Sequence, residues 1–332
     1  GCRRASAPHH LRNRGRETMS DRLSETSPTF AVVVPAYNEA TDIGATCKAL
    51  LDLSPAPDEI VFVDDGSTDD TADIIRRYLV RPSMHLVVQP TNRGPAAARN
   101  AAVAATTSEV IVFVDADVLL PSDFLARLAL HYAHGADSVA VEAKVPTADA
   151  ACERFFQAQH HYLYGDDRDV GWSQAFSCRR SLAVRAGLFA EELPVPGGED
   201  GEFVQRLSTC TNRCVIDKTI VVYHVTPSTI GEFWRQWQGR GVAVPFVRRR
   251  MHHTTWPSLI VERLAAAVWS ALLVVSVVPM LRRAAVLTPL SARGWSDLPP
   301  FFGLSVLQLL AQRSGEWKGM LRLYMAGPFN AR

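Results

Sequence analysis

Short apolar runs rich in β-branched residues alternate, through the first half of the chain, with longer segments whose apolar positions follow helical spacing. Each apolar run ends in a polar or Gly-rich turn. This alternation predicts an α/β fold in which a mostly parallel sheet is flanked by helices. The pattern predicts strands at residues 30–34, 59–63, 85–88 and 110–114, and helices at residues 41–53 and 68–79.

The pattern becomes weaker and more mixed from about residue 138 to residue 225. Aromatic positions cluster at residues 155–164, Gly and Pro mark a turn at residues 194–198, and a short helix is predicted at residues 201–207. We interpret this stretch as the second half of the same domain.

An apolar stretch at residues 264–281 contains only two polar side chains, Ser270 and Ser276. Its length is close to the minimum for crossing a bilayer core of about 30 Å. Arginines flank both ends, so charge does not decide an orientation. A second apolar segment, residues 301–310, is too short to span unless its neighbours extend it. We expect apolar C-terminal helices at a membrane, with a buried edge helix or a re-entrant or surface-lying hairpin as alternatives.

Composition adds limits to this picture. Lys and Arg number 35 and Asp and Glu 34 in 332 residues, and this balance argues against a nucleic-acid partner. The six scattered cysteines favour a reducing compartment. The Arg-rich start has no signal-peptide core, and we expect it to be disordered. The predicted organisation is a disordered tail at 1–28, a folded domain at 29–257 and a membrane-associated helical segment at 258–332.

Four successive predicted strands end in unusually polar sequences. In an open parallel sheet, ligands bind at the carboxyl ends of the strands, so these positions are candidates for a functional site. They read Pro35-Ala36-Tyr37-Asn38-Glu39, Asp64-Asp65-Gly66-Ser67, Asn92-Arg93-Gly94 and Asp115-Ala116-Asp117.

Asp115 and Asp117 lie two residues apart after a strand, so both carboxylates can face one ligand. Hard divalent cations such as Mg²⁺ or Mn²⁺ prefer such oxygen ligands and can bridge to a diphosphate. Asp64 and Asp65 follow another apolar strand, where a carboxylate could accept hydrogen bonds from a base edge or a ribose hydroxyl. A solvated loop is the alternative for Asp115 and Asp117. Turn formation or helix capping is the alternative at Asp64 and Asp65, and it explains one acid there more easily than two.

The ordered set of motifs resembles the family-2 glycosyltransferases with the GT-A fold, over about residues 29–241. The matches are PAYNEA at residues 35–40, VDDGSTDDT at 63–71, NRGPAAARN at 92–100, DAD at 115–117 and GED at 198–200.

This resemblance implies an inverting enzyme that uses Mn²⁺ or Mg²⁺ and moves a sugar from a nucleotide-diphosphate sugar, with UDP as the first candidate, to an acceptor hydroxyl. It implies that Asp117 is the principal metal ligand, that Asp115 lies nearer the ribose or sugar, and that His224 completes the metal site. Asp200 matches the catalytic base, which takes the proton of the acceptor hydroxyl, and Glu199 would orient the acceptor. Alternatively, the two acids only begin a helix.

The nucleotide sugar is expected to contact the strand-end loops, a Gly-containing helix start and two arginines. Residues 233–241 occupy the place of the Q-x-x-R-W motif of processive synthases, but Gln236 is followed by Arg240 one position late and no Trp comes after it. This departure favours transfer of a single sugar. The expected donor-binding residues are Pro35, Tyr37, Glu39, Asp64, Asp65, Asn92, Gly94, Arg99, Asp115, Arg235 and Arg240.

A bilayer at the apolar segment would favour a lipid or lipid-linked acceptor, and would place the catalytic domain in the cytoplasm at the cell membrane. One alternative is a nucleotidyltransferase of similar fold, although residues 35–40 are not the Gly-rich, basic loop typical of such enzymes. Another is an inactive, membrane-anchored binding or scaffold module. The intact acids Asp65, Asp115, Asp117 and Asp200 argue against the loss of activity that this alternative requires.

Overall fold

The structure, a computed structural model, describes residues 28–146, 148–164, 174–192, 197–250 and 252–325. Nearly all of the predicted disordered tail at residues 1–28 lies outside these residues, and so does most of the turn predicted at 194–198.

Eight strands in the described residues form one sheet in the order β3-β2-β1-β4-β7-β6-β8-β5. The four strands predicted from the sequence are confirmed as β1 to β4, with ends that differ by one or two residues. The strands are β1 (Phe30–Ala36), β2 (Glu59–Asp64), β3 (Met84–Val88), β4 (Val110–Phe113), β5 (Val118–Leu119), β6 (Ser138–Lys144), β7 (Phe176–Arg179) and β8 (Cys214–His224).

Strands β3, β2, β1 and β4 are parallel, and β7 then pairs antiparallel with both β4 and β6. Both faces of the parallel part are buried, which explains its continuous apolar sequences. In β1, Val32 and Val34 point into one core and Val33 into the core on the other face. The carboxyl ends of β1, β2 and β4 therefore meet at one edge of the sheet.

Helices cover both faces of the sheet. One core contains side chains of α1, α2 and α4, and the other contains side chains of α3, α6 and α7. The predicted helices at residues 41–53 and 68–79 are α1 and α2, and the helix predicted at 201–207 begins earlier, at Glu199. The bounds are α1 (Ile43–Leu51), α2 (Thr71–Tyr78), α3 (Pro95–Ala104), α4 (Phe124–Ala133), α5 (Ala151–Tyr164), α6 (Arg180–Arg185), α7 (Glu199–Cys210), α8 (Ile230–Arg250), α9 (Trp256–Ser276), α10 (Val278–Leu287) and α11 (Leu298–Met325).

The apolar stretch predicted at residues 264–281 is not one helix. It is divided between α9 and α10 at Val277, whose φ of 59° lies outside the helical region. Pro279 lies in the first turn of α10, where its missing N–H costs nothing, whereas in the middle of a longer helix it would remove a backbone hydrogen bond. The segment predicted at 301–310 belongs to the much longer α11.

Of the helices in the described ranges, α9 alone is long and apolar enough to cross a membrane, judged by length and composition. Only 17% of its most apolar window is buried in the protein. Leu259 and Arg263 pack against α11, while the rest of the helix presents large apolar side chains to the outside. The exposed side chains include Leu264, Val268, Trp269, Leu272 and Val275.

Helices α8 and α11 cross at unusually close range through glycines. A Cβ added to Gly241 would lie 2.2 Å from the carbonyl oxygen of Gln312, and one added to Gly315 would lie 2.0 Å from that of Gln238. Only residues without a side chain permit this approach. The crossing fixes the segment of α8 that carries Gln236 and Arg240.

Replacement of Gly315 by Ala is expected to lower the free energy of unfolding by about 1–3 kcal/mol, because the added methyl group forces the two backbones apart. Urea denaturation measures this change. The matched control is Gly303→Ala in the same helix, where a Cβ meets no atom within 4 Å and only helix propensity changes. Equal effects of the two substitutions would contradict the close crossing.

Candidate active site

A cleft of about 570 Å³ opens where the carboxyl ends of β1, β2 and β4 meet the N-terminus of α7 and one side of α8. Every site residue predicted from the sequence lines this cleft, with the exception of Asp64. The predicted residues along its walls are Pro35, Tyr37, Glu39, Asp65, Asn92, Gly94, Arg99, Asp115, Asp117, Glu199, Asp200, His224, Arg235 and Arg240.

The loops after β1 and β2 are tied together by their polar side chains. Asn38 adopts a left-handed conformation with φ of 56°, and its side-chain Oδ1 accepts a hydrogen bond of 2.8 Å from the backbone N–H of Thr68. The backbone N–H of Asn38 donates to the hydroxyl of Ser67 at 2.9 Å. These bonds account for the Asn and Ser-Thr positions of the two motifs and fix the loop that presents Tyr37 and Glu39.

Asp65 organises the loop that precedes α3. Its two carboxylate oxygens accept hydrogen bonds from the backbone N–H groups of Arg93 and Gly94, at 2.9 and 2.8 Å. Gly94 has a φ of 92°, which favours glycine, and Pro95 then starts the helix. The result is a helix N-terminus held open toward the cleft, an arrangement suited to anions.

Asp64 does not line the cleft, although it was predicted to contact the nucleotide. It is the last residue of β2, and successive side chains on a strand point to opposite faces. Its buried carboxylate lies 3.4 Å from the backbone N–H of Ser67. The geometry therefore gives Asp64 a place in the turn and leaves the contact to Asp65.

A buried arginine links the acids of two distant segments. Arg99 pairs with Asp115 at 2.8 Å and with Glu199 at 2.9 Å, and it is almost fully buried. Glu199 also accepts a hydrogen bond of 2.8 Å from the backbone N–H of Gly197. Burial raises the pKa of the Glu199 carboxyl, and the positive charge of Arg99 opposes this rise. Arg99 thus holds the start of α7, and with it Asp200, against the loop after β4.

Asp117 and His224 form the second pair in the cleft. The Oδ2 atom of Asp117 lies 3.1 Å from Nε2 of His224. Burial lowers the pKa of His224, but the carboxylates of Asp117 and Asp115 outweigh this effect and raise it above its ordinary value. The sequence places these residues 107 positions apart, and the pairing of β5 with β8 brings them together.

This pair fits a divalent cation. Two ligands on adjacent corners of an octahedral Mg²⁺ or Mn²⁺, with bonds of about 2.1 Å, lie about 3 Å apart, close to the separation of the Asp117 and His224 atoms. Within the described ranges, no three His, Cys, Asp or Glu side chains form a ready-made metal cluster, so a cation would also need oxygen atoms of a ligand or water. Asp115, predicted as a further ligand, is instead paired with Arg99.

Gln174 is a site residue that the sequence analysis missed. Its amide nitrogen lies 3.4 Å from Nδ1 of His224, and its buried Oε1 has no hydrogen-bond partner. A half-turn of the amide would let Oε1 accept a hydrogen bond from Nδ1–H, which leaves Nε2 of His224 able to bind a metal. Gln174 lies in no recognisable motif, so no signal in the sequence pointed to it.

Helix α8 supplies the basic wall of the cleft. Arg235 and Arg240 line it, and the guanidinium of Arg240 lies 4.6 Å from the ring centre of Trp237, a cation–π contact. Gln236 also lines the cleft, and its buried Oε1 has no hydrogen-bond partner. The segment had been singled out in the sequence, but Gln236 had not been chosen as a site residue.

Glu39 is the most strongly perturbed acid of the cleft. Burial, together with the negative charges of Asp117, Asp42 and Asp115, raises its pKa from 4.5 to about 8. The folded protein therefore binds this proton more tightly than the unfolded chain does. Stability from this group is present at low pH and is lost as the pH rises toward the folded pKa.

Glu39→Gln is expected to raise the melting temperature relative to the unsubstituted protein, by an amount that grows as the pH rises from about 5 to about 8. The reason is that the amide never has to ionise in the buried site. Thermal unfolding across this pH range, without metal or nucleotide, measures the difference. Glu109→Gln, an exposed acid away from the cleft, is the control. A pH-independent difference for Glu39→Gln would contradict the raised pKa.

Comparisons with known proteins agree with this fold. Residues 31–175 match the model of Glycosyl transferase family 2. The chain is 31% identical over 245 residues to the succinoglycan biosynthesis protein ExoA of Rhizobium meliloti, covering 70% of this chain and 73% of ExoA. It is 26% identical over 225 residues to ExoO of the same organism, covering 63% of this chain and 64% of ExoO.

Two solved structures resemble the whole chain. One is the mannosyltransferase PcManGT from Pyrobaculum calidifontis in complex with GDP-Man and Mn²⁺, with a TM-score of 0.57, 21% identity, and coverage of 89% of this chain and 88% of that one. The other is S. aureus TarS 1-349 in complex with UDP-GlcNAc, with a TM-score of 0.50, 17% identity, and coverage of 91% and 93%. At these identities the likeness shows the GT-A fold alone. Together with the match to ExoA, the family model establishes that this chain belongs to glycosyl transferase family 2 and is a glycosyltransferase.

Proposed function

We propose that the protein transfers a single sugar from a nucleotide-diphosphate sugar to an acceptor hydroxyl with inversion at the anomeric carbon, and that it requires Mn²⁺ or Mg²⁺. The observation that carries this proposal is the single cleft that contains the Asp117–His224 pair, Asp200 and the open N-terminus of α3. Its volume of about 570 Å³ is in the range of cavities that enclose small-molecule ligands.

The charges of the cleft support a metal-dependent donor. Six acids line it, and a diphosphate would be repelled unless a cation lay between them. Asp117 and His224 would hold this cation, which, when bound, neutralises charge on the departing diphosphate. Arg235 and Arg240 supply further positive charge on the opposite element, α8. The six acids are Glu39, Asp65, Asp115, Asp117, Glu199 and Asp200.

Asp200 is the proposed general base. It lies in the first turn of α7, and its Oδ1 accepts a hydrogen bond of 2.8 Å from the backbone N–H of Gly201. In the transfer, the acceptor oxygen forms a bond to the anomeric carbon while the bond from that carbon to the diphosphate breaks. Asp200 takes the proton of the acceptor hydroxyl, and the nucleoside diphosphate leaves with the bonding electron pair.

Asp65, Tyr37 and Pro35 are the proposed contacts for the nucleoside, with Asn92 and Gly94 beside the diphosphate and UDP as the first candidate. The domain bounds 29–257 and 258–332 are part of the same proposal. The exposed apolar side of α9 supports contact with a membrane, with the catalytic domain on the cytoplasmic side. Flotation with phosphatidylcholine vesicles tests this contact, and a chain that stays at the bottom of the gradient would contradict it.

The test of the proposal is the melting temperature of the full chain with UDP, GDP, CDP or dTDP, each with and without Mn²⁺. One nucleotide should raise the melting temperature, and only in the presence of metal, since a ligand that binds the native state stabilises it. The nucleotide that does so identifies the base of the donor. No shift with any of the four would favour an inactive binding module.

A further inference from the structure

The donor cleft continues into two further cavities. The second, of about 490 Å³, shares Gln174, His224 and Arg240 with the donor cleft. The third, of about 570 Å³, lies between α5 and α10 and shares Gln159 and Leu163 with the second. A continuous path therefore leads from the Asp117–His224 pair, past α5, to the surface of α10.

The third cavity contains a half-buried cation without an acidic partner. Arg283 lines it, and its guanidinium donates a 2.7 Å hydrogen bond to the neutral side-chain carbonyl of Gln308. No carboxylate of the described chain lies within 4.0 Å of Arg283, whereas buried Arg99, Arg154 and Arg263 all pair with acids. Because a partly buried, uncompensated charge is costly, this arrangement favours an anionic ligand.

The surroundings of Arg283 distinguish the kind of anion. Arg282, which is exposed, lines the same cavity, and the other walls are largely apolar, with Leu163, Pro279 and Val286 among them. Val278 and Leu281, both exposed, continue the apolar surface from this cavity to the exposed side of α9. A pair of guanidinium groups suits phosphate oxygens, and the adjoining apolar surface suits a hydrocarbon chain.

We propose that the acceptor is an amphiphile that joins a phosphate or diphosphate to an apolar chain, and that Arg282 and Arg283 bind its phosphate at the membrane surface. This inference rests on the proposed function. The second cavity then receives the part of the acceptor beyond the phosphate and directs its hydroxyl toward Asp200, while the apolar chain remains in the lipid beside α9 and α10.

The experiment is flotation of the full chain with phosphatidylcholine vesicles, with and without a small fraction of decaprenyl diphosphate. The diphosphate lipid should increase the affinity for vesicles by about tenfold or more, in line with hydrogen bonds between charged groups. Arg283→Gln should remove this gain and leave binding to plain vesicles unchanged. Arg322→Gln, which removes one exposed arginine from α11, is the matched control and should keep the gain.

Two further measurements separate the possible outcomes. Stabilisation by nucleotide and Mn²⁺ should be the same in Arg283→Gln as in the unsubstituted protein, which shows that the variant folds. If nucleotides fail to stabilise either protein while the diphosphate lipid still increases binding, the proposed function fails and the lipid site stands. Equal gains for Arg283→Gln and the unsubstituted protein would overturn the site. Tight binding of inorganic pyrophosphate, with no preference for diphosphate-containing vesicles, would overturn the assignment to a lipid.

Discussion

Asp200→Asn is expected to lower the rate of sugar transfer by about a hundredfold to ten-thousandfold, the range in which a positioned base contributes. An amide has nearly the shape of a carboxylate and can still accept the hydrogen bond from Gly201, but it cannot take a proton from the acceptor. The measurement is transfer from the nucleotide sugar identified by the stabilisation scan to a vesicle-borne acceptor.

Binding of the donor should survive this substitution. The nucleotide and Mn²⁺ should still raise the melting temperature of Asp200→Asn, because Asp200 lies apart from the Asp117–His224 pair. Loss of the acid from the first turn of α7 should cost about 1 kcal/mol or less. Asp73→Asn, the same change at an exposed site on α2, is the control. Transfer at the unsubstituted rate in Asp200→Asn would remove this residue from the role of base.

Asp117→Asn is expected to abolish the stabilisation that depends on metal and nucleotide together. That stabilisation is about 2.7 kcal/mol when the ligand is present at one hundred times its Kd. The substitution removes an anionic oxygen that a divalent cation prefers and the partner that holds His224. Thermal unfolding with the active nucleotide and Mn²⁺ measures the loss, and transfer should fall with it.

Two other variants complete this comparison. His224→Gln should weaken the same metal-dependent stabilisation, because it removes the second member of the pair. Asp123→Asn, an exposed acid at the start of α4 and outside the cleft, should leave it intact. Metal-dependent stabilisation that persists unchanged in Asp117→Asn would show that the cation binds elsewhere or is not required.

The polar ends of the parallel strands could be predicted from the sequence because two local patterns coincide there. β-Branched runs predicted β1, β2 and β4, and the known place of ligands in parallel sheets then selected the residues that follow them. The same reasoning could not separate Asp64 from Asp65. The choice between them depends on which of two adjacent residues is still part of the strand, and strand ends are the least certain part of such a prediction.

Contacts between distant segments were beyond the sequence. The pairing of Arg99 with Glu199 joins residues 100 positions apart, and Gln174 reaches His224 across 50 positions. Neither contact leaves a local pattern, since each depends on how α3, α7 and β8 are arranged around the sheet. The division of the apolar stretch at Val277 did have a local signal, Pro279, but overall hydropathy outweighed it in the prediction.

The crossing of α8 and α11 has a practical consequence for obtaining a water-soluble form of the enzyme. Truncation ahead of α9 would strip α11 from α8, uncovering Phe233 and Trp237 and releasing the backbone around Gly241 that positions Arg240. Deletion would thus trade one greasy surface for another and loosen the catalytic wall. Polar substitutions on the outer side of α9, at Val268, Leu272 and Val275, remove the lipid-facing surface while the internal scaffold stays whole.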